Sequence, residues 1–297
     1  MNKHAYLILV HNNFKTLEKL LELLDDERND IYIHVDKKIK NFDFKYFSKL
    51  IKRSKIYFTK KRIDIRWGDI SQIQGQFCLM KEANKNEKYE YYHLISGVDL
   101  PIKSQDYIHE FFEKNYGTEF IYCTDWDSPK TKRRYANYHI FTKFFRCKNK
   151  VIMYLFDILR ESFIKFQQII GYDRTKKYNF KIMYGSEWWS IENDLIEALI
   201  KNEGNFYKIY NHTRGSDEHY IQTFVYNSEF RDRLSSSQEA NMRYIRWDKK
   251  GELRGSPYTF KISDYNELIE SDKLFARKFD ENVDFEIIEK IYEYFTR

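Results

Sequence analysis

The residues best suited to chemistry in this chain are a pair of acids and a pair of bases, far apart in sequence. Asp217-Glu218-His219 opens a stretch whose spacing predicts a helix over 217–225. A single carboxylate such as Glu218 can deprotonate an acceptor hydroxyl, which then attacks from the side opposite the leaving group. Acids at a helix start also serve as a plain cap, favoured by the helix dipole. Arg277-Lys278 sets two adjacent cations among apolar residues. Arginine grips phosphate through paired hydrogen bonds and lysine acts as a point charge, so the pair suits a departing diphosphate, although by itself such a cluster is more often an ordinary surface pair. Three more candidates lie where strands are expected to end: His11, Asp36-Lys37, and Asp99 in Ser96-Gly97-Val98-Asp99. In an open α/β sheet ligands bind beyond the carboxyl ends of the strands, where an aspartate can accept ribose or uracil hydrogen bonds or simply cap a turn. Asp125-Trp126-Asp127 has the DxD form that can hold a divalent cation on a nucleotide diphosphate. Short acidic pairs arise by chance and this one comes after the nucleotide half, so no metal is expected. Neither GxGxxG nor GxxxxGK[ST] occurs, which weakens dinucleotide and P-loop readings.

The elements that must position these groups alternate. Apolar runs at 5–10, 31–35, 55–58, 91–95 and 119–122 suit strands, the first buried on both faces. Leu17, Leu20, Leu21 and Leu24 form one stripe of a helix that Asn12 or Asn13 can cap. Helices follow over 70–85 and from Ser104. This order predicts an α/β fold with a mainly parallel, Rossmann-like central sheet flanked by helices. The last third adds strands at 187–191 and 243–247 and a terminal helix bearing Phe285, Ile287, Ile288, Ile291 and Tyr294. No repeat or linker interrupts the chain, so one domain is expected over 1–297, with a nucleotide-binding half (1–125) and an acceptor-binding, catalytic half (126–297).

Composition narrows the classes. The 297 residues are 42% hydrophobic and 18% aromatic, enough for a sizeable core, which excludes bulk disorder. Three cysteines at wide spacing without CxxC signal neither a disulfide framework nor a zinc site. No long uncharged apolar stretch predicts a transmembrane helix, and a cytoplasmic location is expected. The net charge of +6 is mild, and acids interleave with bases almost everywhere, against a nucleic-acid partner. The exception is 130–180, basic and aromatic. Within it, 151–170 is amphipathic; it either docks on a membrane or acceptor, or packs on the core with a solvated basic face.

Taken in order, several fragments resemble the branching-enzyme superfamily of glycosyltransferases, which includes core 2/I-branching β-1,6-N-acetylglucosaminyltransferases and peptide O-xylosyltransferases. They are Tyr6-Leu7-Ile8 to His11, Ile33-His34-Val35-Asp36-Lys37, Trp67-Gly68, and His93 through Ile102. Then come Arg133-Arg134-Tyr135, Gly185-Ser186-Glu187-Trp188-Trp189, Asp217-Glu218-His219, Arg243 through Trp247, Ser256-Pro257 and Leu274 through Phe279. The resemblance implies a GT-A type fold and an inverting, metal-independent transfer from a UDP-sugar, GlcNAc or xylose, to a glycan or lipid-linked glycan. It implies that Glu218 is the general base and that Arg277 and Lys278, with Arg254 as a further phosphate ligand, neutralise the UDP. Val10, His11, Asp36, Lys37, Trp67, Gly68 and Asp99 would surround the donor. Arg134, Trp188, Asp217 and Trp247 would line the acceptor side. Lacking the anchor and disulfides of animal relatives, the chain looks like a bacterial, cytoplasmic version, with peripheral membrane contact through 130–180. The alternative is a non-catalytic relative that binds a nucleotide or glycan.

Overall fold

The structure is a computed structural model and describes residues 3–125, 128–146, 149–236, 240–247 and 256–296. Nine strands are named among these: β1 (His4–Val10), β2 (Asn29–Val35), β3 (Lys55–Phe58), β4 (Tyr91–Ser96), β5 (Asp99–Pro101), β6 (Phe120–Thr124), β7 (Tyr184–Glu192), β8 (Arg243–Ile245) and β9 (Phe275–Arg277). The helices are α1 (Phe14–Leu24), α2 (Phe44–Leu50), α3 (Ser71–Asn86), α4 (Gln105–Lys114), α5 (Pro129–Ala136), α6 (Lys150–Ile169), α7 (Asn193–Lys201), α8 (Glu203–Tyr210), α9 (Tyr220–Tyr226), α10 (Tyr265–Glu270) and α11 (Glu286–Thr296).

The expected α/β architecture is present; the central sheet is parallel across four of its six strands but mixed overall, and a second, small sheet accompanies it. The main sheet has the order β3-β2-β1-β4-β7-β6. Its first four strands are parallel, while β7 runs against both β4 and β6. A second sheet, β5-β9-β8, adds an antiparallel and a parallel pairing. The direction of β7 decides where its residues go. Ser190 pairs with His93, so the earlier part of the strand runs on towards the carboxyl end of β4.

Both faces of the main sheet are covered, which is why its strands read as continuous apolar runs. Along β1, Tyr6, Ile8 and Val10 point into one core with α1, α11 and the small sheet, and Ala5, Leu7 and Leu9 into the other with α3 and α7. Buried Arg243 ties the two sheets together, donating from Nη1 to Ser190 Oγ at 2.8 Å and from Nη2 to the Trp189 carbonyl at 2.7 Å. Burial pushes its pKa down to about 9.

Three local expectations differ. Asn13 sits at the start of α1 in the left-handed region (φ 54°) and its side chain caps nothing; Glu281 accepts from Thr16 N at 2.9 Å instead. The helix expected over 217–225 is a 3-10 turn, Ser216–Glu218, followed by α9. On α6 the solvated face is apolar rather than basic, with Val151 78% and Ile169 83% exposed.

Candidate active site

Two groups of charged side chains meet at the carboxyl end of the parallel strands. The first is acidic. β7 delivers Glu187, and the 3-10 turn delivers Asp217 and Glu218. Helix α3 holds two of them from residues one turn apart: Gln72 Nε2 donates to Asp217 Oδ2 at 2.8 Å, and Gln76 Nε2 to Glu187 Oε1 at 3.2 Å. Spacing of i, i+4 puts both amides on one helix face. Arg134, from α5, pairs with Glu218 Oε2 at 2.5 Å and donates from Nε to the Arg214 carbonyl at 3.2 Å.

The turn itself depends on Gly215. Its φ is +68°, and a Cβ there would lie 1.9 Å from Arg134 Nη2. Glycine therefore both permits the backbone and leaves the guanidinium its path. Gly68 (φ +74°) accepts from the Gly215 N–H at 2.9 Å. Its neighbour Trp67 lies under the guanidiniums of Arg146, 4.0 Å away, and Arg214, 5.4 Å away.

Electrostatics separates the acids. Burial pushes the Glu187 carboxyl up to about 7; Arg277 opposes this, and Glu218 and Asp99 add to it. Asp217 is buried and pushed well above the usual carboxylate range, first by burial, then by Glu187 and Glu218. Two neighbouring carboxyls, both pushed above the ordinary range, form an arrangement suited to moving a proton.

The second group is basic and comes from the small sheet. Asp99 and Arg277 are paired residues of β5 and β9. Arg277 Nη1 donates to Asp99 Oδ1 at 2.9 Å and to Ser96 Oγ at 3.1 Å, while its guanidinium lies over Trp188 at 4.2 Å. Asp99 also accepts from the Ser96 N–H at 2.9 Å. Its carboxylate is thus committed to holding a turn and a cation. Lys278 is half-buried and has no carboxylate partner among the described residues. His11 is open to solvent at the end of β1. The protein around it holds its pKa below the ordinary histidine value, Asp36 pulling upward and Lys38 and Arg277 downward.

The remaining candidates divide between the ends of β1 and β2, beside this recess, and the outer surface. Asp36 is buried and bound to Lys38 at 3.0 Å, and Lys37 is exposed. Val10 is a core residue whose carbonyl accepts from Asp36 N at 2.9 Å. Trp188 is buried, whereas Trp247 is 64% exposed. Arg254 and Asp127 lie outside the described residues. Asp125 pairs with Lys181 on the surface. A separate acidic trio, Glu119, Glu192 and Asp194, has ligand atoms within 4.8 Å of one another, but the Arg233 guanidinium already reaches all three.

The site thus joins an acidic cluster to a cationic recess where β1 and β4 end. The model of the Core-2/I-Branching enzyme family matches residues 4–269, and the chain belongs to that family of glycosyltransferases. It is 25% identical over 301 residues to xylosyltransferase sqv-6 of Caenorhabditis elegans, covering 93% of this chain and 34% of that protein. Rat xylosyltransferase 2 is 21% identical, with 96% and 33% covered. A zebrafish β-1,3-galactosyl-O-glycosyl-glycoprotein β-1,6-N-acetylglucosaminyltransferase 4 is 22% identical, with 97% and 68% covered. The chain spans about a third of the length of the xylosyltransferases it matches. These relatives are animal proteins and lend no support to the expected bacterial origin. Mouse xyloside xylosyltransferase 1 superposes over 78% of this chain and 84% of its own at 10% identity, with a TM-score of 0.33, too low to carry an argument.

Proposed function

We propose that this chain transfers a sugar, GlcNAc or xylose, from a UDP-sugar to a hydroxyl of a glycan or lipid-linked glycan, with inversion and without a metal, on a GT-A type arrangement. The observation that carries this reading is the meeting of three carboxylates with Arg277 and Lys278 at the carboxyl end of the parallel strands. In the reading, the acceptor hydroxyl gives its proton to Glu218 as its oxygen attacks the anomeric carbon. The bond to UDP breaks on the opposite face, and the diphosphate leaves against cations. Lys278, without a carboxylate partner among the described residues, supplies one charge. Arg277, half engaged by Asp99 and Ser96, supplies a fixed one.

A second reading of the base rests on one specific observation. Glu187 is pushed up to about 7, near the value that best combines ionisation with basicity, whereas Glu218 is clamped by Arg134. On that reading Glu187 takes the proton and Glu218 orients the acceptor with Arg134.

One series of assays tests both. UDP release from a panel of UDP-sugars, with acceptor and EDTA present, is expected from a single donor. Glu218→Gln is expected to lower kcat by about 100- to 10,000-fold while leaving UDP affinity unchanged. If Glu218→Gln keeps its rate while Glu187→Gln loses it, along with the rise in rate through about pH 7, the second reading replaces the first. Tight UDP binding without turnover for any donor would mark a non-catalytic relative. Loss in EDTA, restored by Mn²⁺, would overturn the metal-independent mechanism.

A further inference from the structure

Helix α6 is inside out. At 100° per residue, Met153, Arg160, Ile164 and Gln167 face the protein. The opposite face carries Val151, Leu155, Ile158, Leu159, Phe166 and Ile169, all exposed. Only Ser162 and Lys165 interrupt that stripe. A helix of 20 residues is about 30 Å long, so the stripe is far larger than the scattered apolar residues of an ordinary surface. No described helix is long and apolar enough to cross a membrane.

Charge says what covers the stripe. Residues 128–181 contain fourteen Lys and Arg against three Asp and Glu, in a chain whose net charge is only +6. Lys143, Lys150, Lys165 and Lys176 are exposed and have no carboxylate partner among the described residues. A second copy of the chain on this face would bring two such basic segments together, which like-charge repulsion opposes. An anionic bilayer surface accepts both features, with apolar side chains entering the headgroup boundary and lysines reaching the phosphates.

We infer that the outer face of α6, with its flanking lysines, docks on an anionic lipid bilayer. The inner face of α6 ties this contact to the site. Glu161 pairs with Arg133, next to the Arg134 that holds Glu218, and the Arg160 guanidinium lies over Phe145, 4.2 Å from its ring centre. Docking would therefore set the acceptor side close to the membrane.

The test is co-sedimentation of the whole chain with phosphatidylcholine vesicles, with and without phosphatidylglycerol. It reads no glycosyl transfer and stands apart from the functional reading. Binding is expected with the anionic vesicles and should weaken as salt rises. Leu155→Glu with Ile158→Glu should abolish it while leaving thermal unfolding unchanged, because both residues are exposed. Lys143→Gln, Lys150→Gln and Lys165→Gln together should weaken it on the order of a hundredfold and flatten the salt dependence. Three results would overturn the inference: no binding to the anionic vesicles, binding indifferent to Leu155→Glu with Ile158→Glu, or a lipid-free dimer that those substitutions dissociate.

Discussion

Glu187, Asp217 and Glu218 are three carboxylates in one recess, and their surroundings give each a different part. Asp217 is the most enclosed, with Oδ2 taken by Gln72 and Oδ1 buried without a partner. Its folded pKa lies above the ordinary aspartate value, so its contribution to stability is full below that value and is lost as pH rises toward the raised one. Asp217→Asn removes the loss. Denaturant unfolding should therefore show the variant gaining stability relative to the parent as pH rises above the ordinary aspartate value of about 4. A difference that stays constant with pH would mean that Asp217 titrates alike in the folded and unfolded chain. At this scale the sequence was legible in part. The pairs Asp217-Glu218 and Arg277-Lys278 stood out because acids and cations were adjacent. Glu187 lay inside a quoted motif without a role, since nothing local says that its strand runs antiparallel and brings it beside the others. Gln72 and Gln76 gave no signal because amides on a helix read as surface until the helix face is known.

At the scale of elements, the turn before Glu218 matters more than the helix expected there. The site needs a guanidinium threaded past a backbone, and Gly215 makes room for it. Gly215→Ala should cost about 1–3 kcal/mol in thermal unfolding, combining a positive φ with the clash. It should also lower kcat with little change in UDP affinity, because Arg134 would be pushed off Glu218. Strands β1, β2 and β4 were readable because each is buried along its whole length. The small sheet was not readable as a sheet. β5, β8 and β9 are three residues each, too short for a period to emerge, and their pairing joins residues 99 and 277.

At the scale of the whole molecule, the site draws on both ends of the chain. His11 feels the charge of Arg277, and α1 is capped by a carboxylate 265 residues downstream. Glu281→Ala should destabilise the protein by about 1 kcal/mol in chemical denaturation, the usual worth of a lost N-terminal cap, and an unchanged midpoint would show that the contact carries no weight. The same contact bears on synthesis. A ribosome releases α1 long before it makes Glu281, and it makes the two site cations only just before. Until those residues emerge, the first helix waits uncapped and the recess lacks its positive wall. A nascent chain can therefore complete this recess only after residues 277–281 have cleared the exit tunnel.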